Sequence, residues 1–157
     1  MNATAMPPKF DHPALLPPGV HRLDDTALFA LAVAPFPNDV YRRQLYGQLG
    51  HWQNQLRSMG IGGTLWIDGS FLTVKASPED IDIVIWNPIS KLPLDSSAQS
   101  VVAALLDKAN ARAIFGLDLY FESPPPGERL HREAYWKGFL GFCHDQVTAK
   151  GFVEVAL

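Results

Sequence analysis

Residues 64–86 read TLWIDGSFLTVKASPEDIDIVIW, and the rest of the chain is organised around them. Thr64–Asp68 has the composition of a short strand, Gly69-Ser70 turns the chain, and Phe71–Glu79 makes a nine-residue arc. A second strand then begins with Asp80-Ile81-Asp82. In an extended chain residues i and i+2 share a face. Asp80 and Asp82 therefore stand together while Ile81, Ile83 and Ile85 point the other way. Two adjacent carboxylates repel, and a divalent cation held between them is the usual compensation.

Upstream, Leu45, Leu49, Trp52, Leu56 and Met59 recur at helical spacing, one buried stripe on a helix opened near Asn38. Arg42, Arg43, Gln48, Gln53 and Arg57 fall largely off that stripe. Arg42-Arg43 reads as a solvated helix face, with a bidentate phosphate contact as the sharper alternative. Gly60, Gly62 and Gly63 end this helix and lead into the strand. Before it, Asp24 or Asp25 caps a short helix reaching about Val33, closed by Pro35 and Pro37. Residues 1–20 hold five of the 13 prolines and read as an extended proline-rich arm tethered by Leu15 and Leu16. Residues 21–157 read as one domain.

Downstream, Asn87-Pro88 reads as a strand stop, and Ser96 or Ser97 as the cap of a helix over residues 97–111. Ile114–Phe121 reads as a further strand, bounded by Ser123-Pro-Pro-Pro-Gly127. Glu128–Lys137 predicts a short helix; residues 138–142 and 151–157 predict a hairpin around His144–Lys150. The sum is an α+β class, a mixed sheet with flanking helices.

Composition narrows the function classes. With 47% hydrophobic and 18% charged residues the chain is globular, and a net charge of −3 supplies no global field for nucleic acid or anionic lipid. The single cysteine, Cys143, excludes an internal disulfide and fits a reducing cytoplasm. No apolar run is long enough to span a membrane, and the N-terminal residues lack the basic and apolar regions of a secretory signal. Five scattered histidines and Cys143 have no zinc-like spacing. The expectation is a soluble cytoplasmic protein.

Asp118 is the third acid. It lies mid-strand between Leu117 and Leu119, where a charge is costly unless paired or ligated. Asp80, Asp82 and Asp118 on neighbouring strands would form a carboxylate cradle for one or two magnesium ions, which prefer oxygen ligands. Glu122 has the same strand parity and ranks second. Gly69 lets the backbone approach a ligand closely, and Ser70 offers donors to a phosphate. Lys75, in the arc, is a further candidate for the phosphates, against the plainer reading of a solvated loop lysine.

Gly69-Ser70, a nine-residue spacer, Asp80-Ile-Asp82 and the later Asp118 resemble the pattern of the nucleotidyltransferase superfamily of the DNA polymerase β type. Asp68, before Gly69, stands where that pattern has an apolar residue. The wider text, LPPGVHRLDD through YRRQL, then YWKGFLGF with KGFVEV, is similar to a small family of bacterial and phage proteins described as nucleotidyltransferase-like. The resemblance implies a minimal nucleotidyltransferase-like fold, with Mg2+, or Mn2+ in its place, bound by Asp80, Asp82 and Asp118. It implies nucleotide phosphates at Gly69 and Ser70, with Lys75 in reach. The reaction implied is transfer of a nucleoside monophosphate from a nucleoside triphosphate to a hydroxyl of a protein, an RNA or a small molecule. The alternative is a catalytically silent binding module of the same fold, a toxin–antitoxin or phage-defence component. A phosphohydrolase using the same acids ranks third.

Overall fold

The computed structural model describes residues 9–157, so the first eight residues of the proline-rich arm lie outside the described residues. Five strands form one mixed sheet. In chain order they are β1 (Gly19–Arg22), β2 (Ile61–Asp68), β3 (Ile81–Ser90), β4 (Leu117–Glu122) and β5 (Gly151–Ala156), and in space the order is β1-β5-β2-β3-β4. β2 runs antiparallel to both β3 and β5, whereas β3–β4 and β1–β5 are parallel. The architecture is the expected α+β arrangement.

Alternation sorts the sheet into two faces. Leu65, Ile67, Ile83, Ile85, Leu119, Val153 and Val155 point into the main core. That core is covered by α1 (Asp25–Ala32), α2 (Val40–Ser58) and α3 (Ser96–Leu106). Leu45, Leu49, Trp52 and Leu56 form the buried stripe of α2, and the three N-caps are Asp24, Asp39 and Asp95, each accepting a backbone N–H. The opposite face carries Trp66, Val84, Trp86, Tyr120 and Phe152, roofed by Trp136 and Leu140 of α5 (Arg129–Leu140).

Several local expectations give way to longer-range pairing. Asn87-Pro88 does not stop β3. Asn87 adopts φ +47 and the strand runs on to Ser90, with an irregularity opposite Gly62–Thr64. Residues 138–140 belong to α5 rather than to a hairpin, and β5 pairs with β2 and β1; only a Phe142–Ala149 bridge remains of the expected turn. Ile114 and Phe115 are not strand. After α3 comes a short α-helical turn, α4 (Lys108–Asn110), then a π-helical turn, Ala111–Phe115. Gly116, at φ +68, reverses the chain into β4; a side chain there would collide with Leu45.

Arg42 is the largest departure from the helical reading. It is fully buried, and its guanidinium donates to the carbonyls of Ala32, Phe71, Thr73 and Lys75 while lying over the Phe36 ring. It is neither a solvated residue nor a phosphate contact. Gln53 is also buried, bonded to Asp25. Residues of the arm lace over the same arc: Leu15 donates to the Leu72 carbonyl, Val74 donates to that of Pro13, and Ala14 bridges Thr73.

Candidate functional site

One end of the sheet collects the acids. β2 delivers Asp68 at its C-terminal end, and Asp82 and Asp118 stand second in β3 and β4. In register, Asp82 faces Asp68 on one side and Asp118 on the other, so three carboxylates form a row across three strands. By strand parity the row shares the face of Trp66, Val84 and Tyr120. Asp80 sits just before β3, on the same side as Asp82. The sequence expectation brought Asp80, Asp82 and Asp118 together; it left Asp68 out as an irregularity of the pattern.

Gly69 is fixed by this row. Its backbone is at φ +89 and ψ −168, a region that glycine alone occupies comfortably. A Cβ there would overlap Asp82 Oδ2 and lie 3.0 Å from its Cγ. The glycine makes room for a carboxylate of its own chain. Ser70, half-buried, then opens a 3-10 turn through Leu72. Lys75 is placed by its backbone. Its carbonyl accepts from Arg42 and its N–H donates to Thr73 Oγ1, and among the described residues no carboxylate pairs with its ammonium group.

Three basic side chains reach into the row. Lys150 Nζ lies 2.7 Å from Asp68 Oδ2, with both side chains largely buried. Lys108 Nζ lies 3.1 Å from Asp118 Oδ1 and 3.6 Å from the centre of the Tyr120 ring, while the Tyr120 hydroxyl donates to Asp118 Oδ2. Arg112 Nη1 lies 3.1 Å from Asp80 Oδ2. Asp82 alone has no basic partner among the described residues. Burial, and then the carboxylates of Asp80, Asp68 and Asp118, push its pKa up to about 6. Asp68 is also pushed up to about 6, because burial outweighs Lys150. Its Oδ1 is buried with no hydrogen-bond partner among the described residues.

Four acids against three bases leave one uncompensated charge, centred on Asp82. Oxygen-only donors, a buried carboxylate oxygen without a partner and an acid without a counter-ion suit a hard divalent cation. As the side chains stand, no three histidine, cysteine or acidic groups among the described residues converge closely enough to hold an ion. Asp68, Asp80 and Asp118 are each engaged by a basic side chain instead.

Glu122 is not part of the site. It accepts from Trp136 Nε1 at 2.7 Å and from Arg132, and those bonds hold its carboxyl below the usual range. It fastens α5 to the sheet. Trp136 is correspondingly buried, although Phe139 is exposed. The sequence reading also passed over Lys108, Arg112 and Lys150. A signal existed for the first two: bases spaced i, i+4 just ahead of the strand that carries Asp118. Lys150 is recognisable only once β5 is known to lie beside β2.

Among the described residues no helix is long and apolar enough to cross a membrane. No curated protein and no solved structure matches the chain. A family model does match, over residues 8–156, and it is described as a family of unknown function (DUF6932). On that match the chain belongs to this family.

Proposed function

We propose that the acidic end of the sheet is a divalent-cation-dependent nucleotidyltransfer site. Asp80, Asp82 and Asp118 would hold Mg2+ or Mn2+, and Gly69 and Ser70 would face the phosphates of a nucleoside triphosphate. The observation that carries this reading is the uncompensated Asp82, half-buried between Asp68 and Asp118 beside a glycine that its carboxylate makes irreplaceable. A half-buried, repelling carboxylate is a stability cost with no structural return, and such groups concentrate at functional sites.

When bound, the cation would neutralise phosphate charge and lower the pKa of an acceptor hydroxyl. The remaining work belongs to the chain. Asp118, hydrogen-bonded to Tyr120 on the edge strand β4, is the residue to take the acceptor proton. Asp68, locked to Lys150, keeps its place beside Asp82 and holds that carboxylate toward the site. The arc is kept in one conformation by Arg42 and the arm, so Ser70 presents its hydroxyl and N–H groups from a fixed position. The acceptor is a hydroxyl of a protein, an RNA or a small molecule, and the setting is the cytoplasm.

A second reading has its own support. Three of the four acids already carry basic partners, which is how a silent, partner-binding relative would neutralise a disused site. Calorimetry with each nucleoside triphosphate, with and without Mg2+ or Mn2+, separates the two. The first reading expects cation-dependent binding that is lost in Asp82→Asn and Asp118→Asn proteins of undiminished fold. Absence of nucleotide binding under all conditions overturns it in favour of the binding module.

A further inference from the structure

Lys108 and Arg112 differ from Lys150 in ways that matter for the acids they neutralise. The Lys150–Asp68 pair is buried at both ends, with 14% and 7% of the side chains exposed. Lys108 and Arg112 are 55% and 57% exposed, although their partners Asp118 and Asp80 are mostly covered. Ion pairs this exposed contribute only about 0–1 kcal/mol each, so either arm can leave its acid at little cost.

The backbone beneath the two arms is firm. Asp107 caps the turn by accepting the Asn110 N–H, Ala111 and Phe115 are buried in the main core, and the chain closes at Gly116. Lys108 and Arg112 therefore project from one anchored segment, one turn apart, at the mouth of the acid row. That segment ends in a π-helical turn, a rare form frequently found at functional positions. Only the tips are free to move. The chemistry suits a second role: a guanidinium grips phosphate oxygens through two parallel bonds, and an ammonium serves as a compact point charge.

We propose that Lys108 and Arg112 form a counter-ion gate. In the cation-free protein they neutralise Asp118 and Asp80; when a nucleoside triphosphate arrives with its divalent cation they release the acids and take the phosphate chain. The gate rests on the metal-dependent reading given above. It assigns these two residues to triphosphate binding, beyond Gly69-Ser70. It also makes free cation a poor ligand on its own, because the cation must compete with both arms.

The test compares the full chain with the Lys108→Gln/Arg112→Gln double variant, using Mn2+ alone and then Mn2+ with a nucleoside triphosphate, both by calorimetry. Removing two competing ion pairs is expected to tighten binding of Mn2+ alone by about five- to tenfold. Removing two phosphate partners is expected to weaken nucleotide binding by about tenfold or more. Opposite movements of two affinities are not the signature of a merely structural residue. Arg112→Lys should recover part of the nucleotide affinity and restore the weaker Mn2+ binding. If wild type binds Mn2+ and the double variant binds it no more tightly, the gate is wrong and the metal centre stands. The same holds if nucleotide affinity is unchanged. If none of the proteins binds Mn2+ or nucleotide, the metal centre falls and the gate with it.

Discussion

Replacing Asp82 by asparagine should stabilise the protein while destroying its cation site. The carboxylate is half-buried, faces three others and has no basic partner among the described residues, so its pKa rises from 3.8 to about 6. A tenfold change in proton affinity is worth about 1.4 kcal/mol, so at neutral pH the ionised group costs the fold about 3 kcal/mol. Asparagine keeps the shape and removes the charge. Allowing for imperfect hydrogen bonding of the amide, a gain of about 1–3 kcal/mol is expected. For a chain of this size that corresponds to a rise in Tm of roughly 3–10 °C. The pH dependence fixes the sign. A carboxyl whose folded pKa lies above its unfolded value binds its proton more tightly in the native state, so its penalty is full above about pH 6 and gone below about 3.8. The advantage of Asp82→Asn over wild type should therefore shrink steadily as pH falls through that window. Asp80→Asn gives a graded comparison: it surrenders the pair with Arg112 but relieves the first of the repulsions on Asp82, so its effect on stability should be smaller than that of Asp82→Asn. Thermal denaturation between about pH 4 and 8 makes the measurement. Saturating Mn2+ should raise the Tm of wild type and leave that of Asp82→Asn unchanged. A lower Tm for Asp82→Asn above neutral pH, or an advantage that does not vary with pH, would refute the reasoning.

Gly69→Ala meets both a backbone region reserved for glycine and the Asp82 carboxylate, so a loss of at least about 1–3 kcal/mol is expected in urea denaturation; a neutral result would mean that the Asp82 carboxylate lies elsewhere. Arg42→Ala leaves four carbonyls without their donor and should cost about 3–5 kcal/mol, with Arg42→Lys recovering only part; a loss below about 1 kcal/mol would contradict this network. Glu122 is held below its usual pKa of 4.5 by Arg132 and Trp136, so its contribution is full above that value and lost as pH falls below it. Trp136 fluorescence should report loosening of α5 in acid, and Glu122→Gln should abolish that pH dependence while weakening the helix at neutral pH.

What the sequence disclosed follows the range of the interactions concerned. The α2 stripe and the isoleucines opposite Asp80-Asp82 are local, periodic signals, and each appears where its spacing puts it; among the caps Asp24 stands where expected, while Asp39 and Asp95 take the places expected for Asn38 and for Ser96 or Ser97. Pairing partners are not local. β1 is only GVHR, four residues made into strand by β5, more than 120 positions away, and β5 itself reads equally well as half of a hairpin. Arg42 eluded the helical wheel because it lies off the apolar stripe, yet its long side chain passes beneath the arc to reach carbonyls some 30 residues on. Asp68 was visible as a break in a pattern. Its meaning depends on register: antiparallel pairing sets it opposite Asp82, and β5 brings Lys150 alongside.

The clamp on residues 71–75 has a consequence for how a ligand would be received. Many phosphate-binding loops are ordered by the ligand, which forfeits affinity to freeze them. Here the folded chain has already met that entropy cost, with Arg42 beneath the arc and residues 13–15 across it. Amide protons in this segment should exchange at rates set by global unfolding rather than by local opening, with or without nucleotide. Association would then involve rearranging ions and side-chain tips, leaving the backbone still. Such a receptor should show fast, single-step binding kinetics whose rate depends steeply on salt.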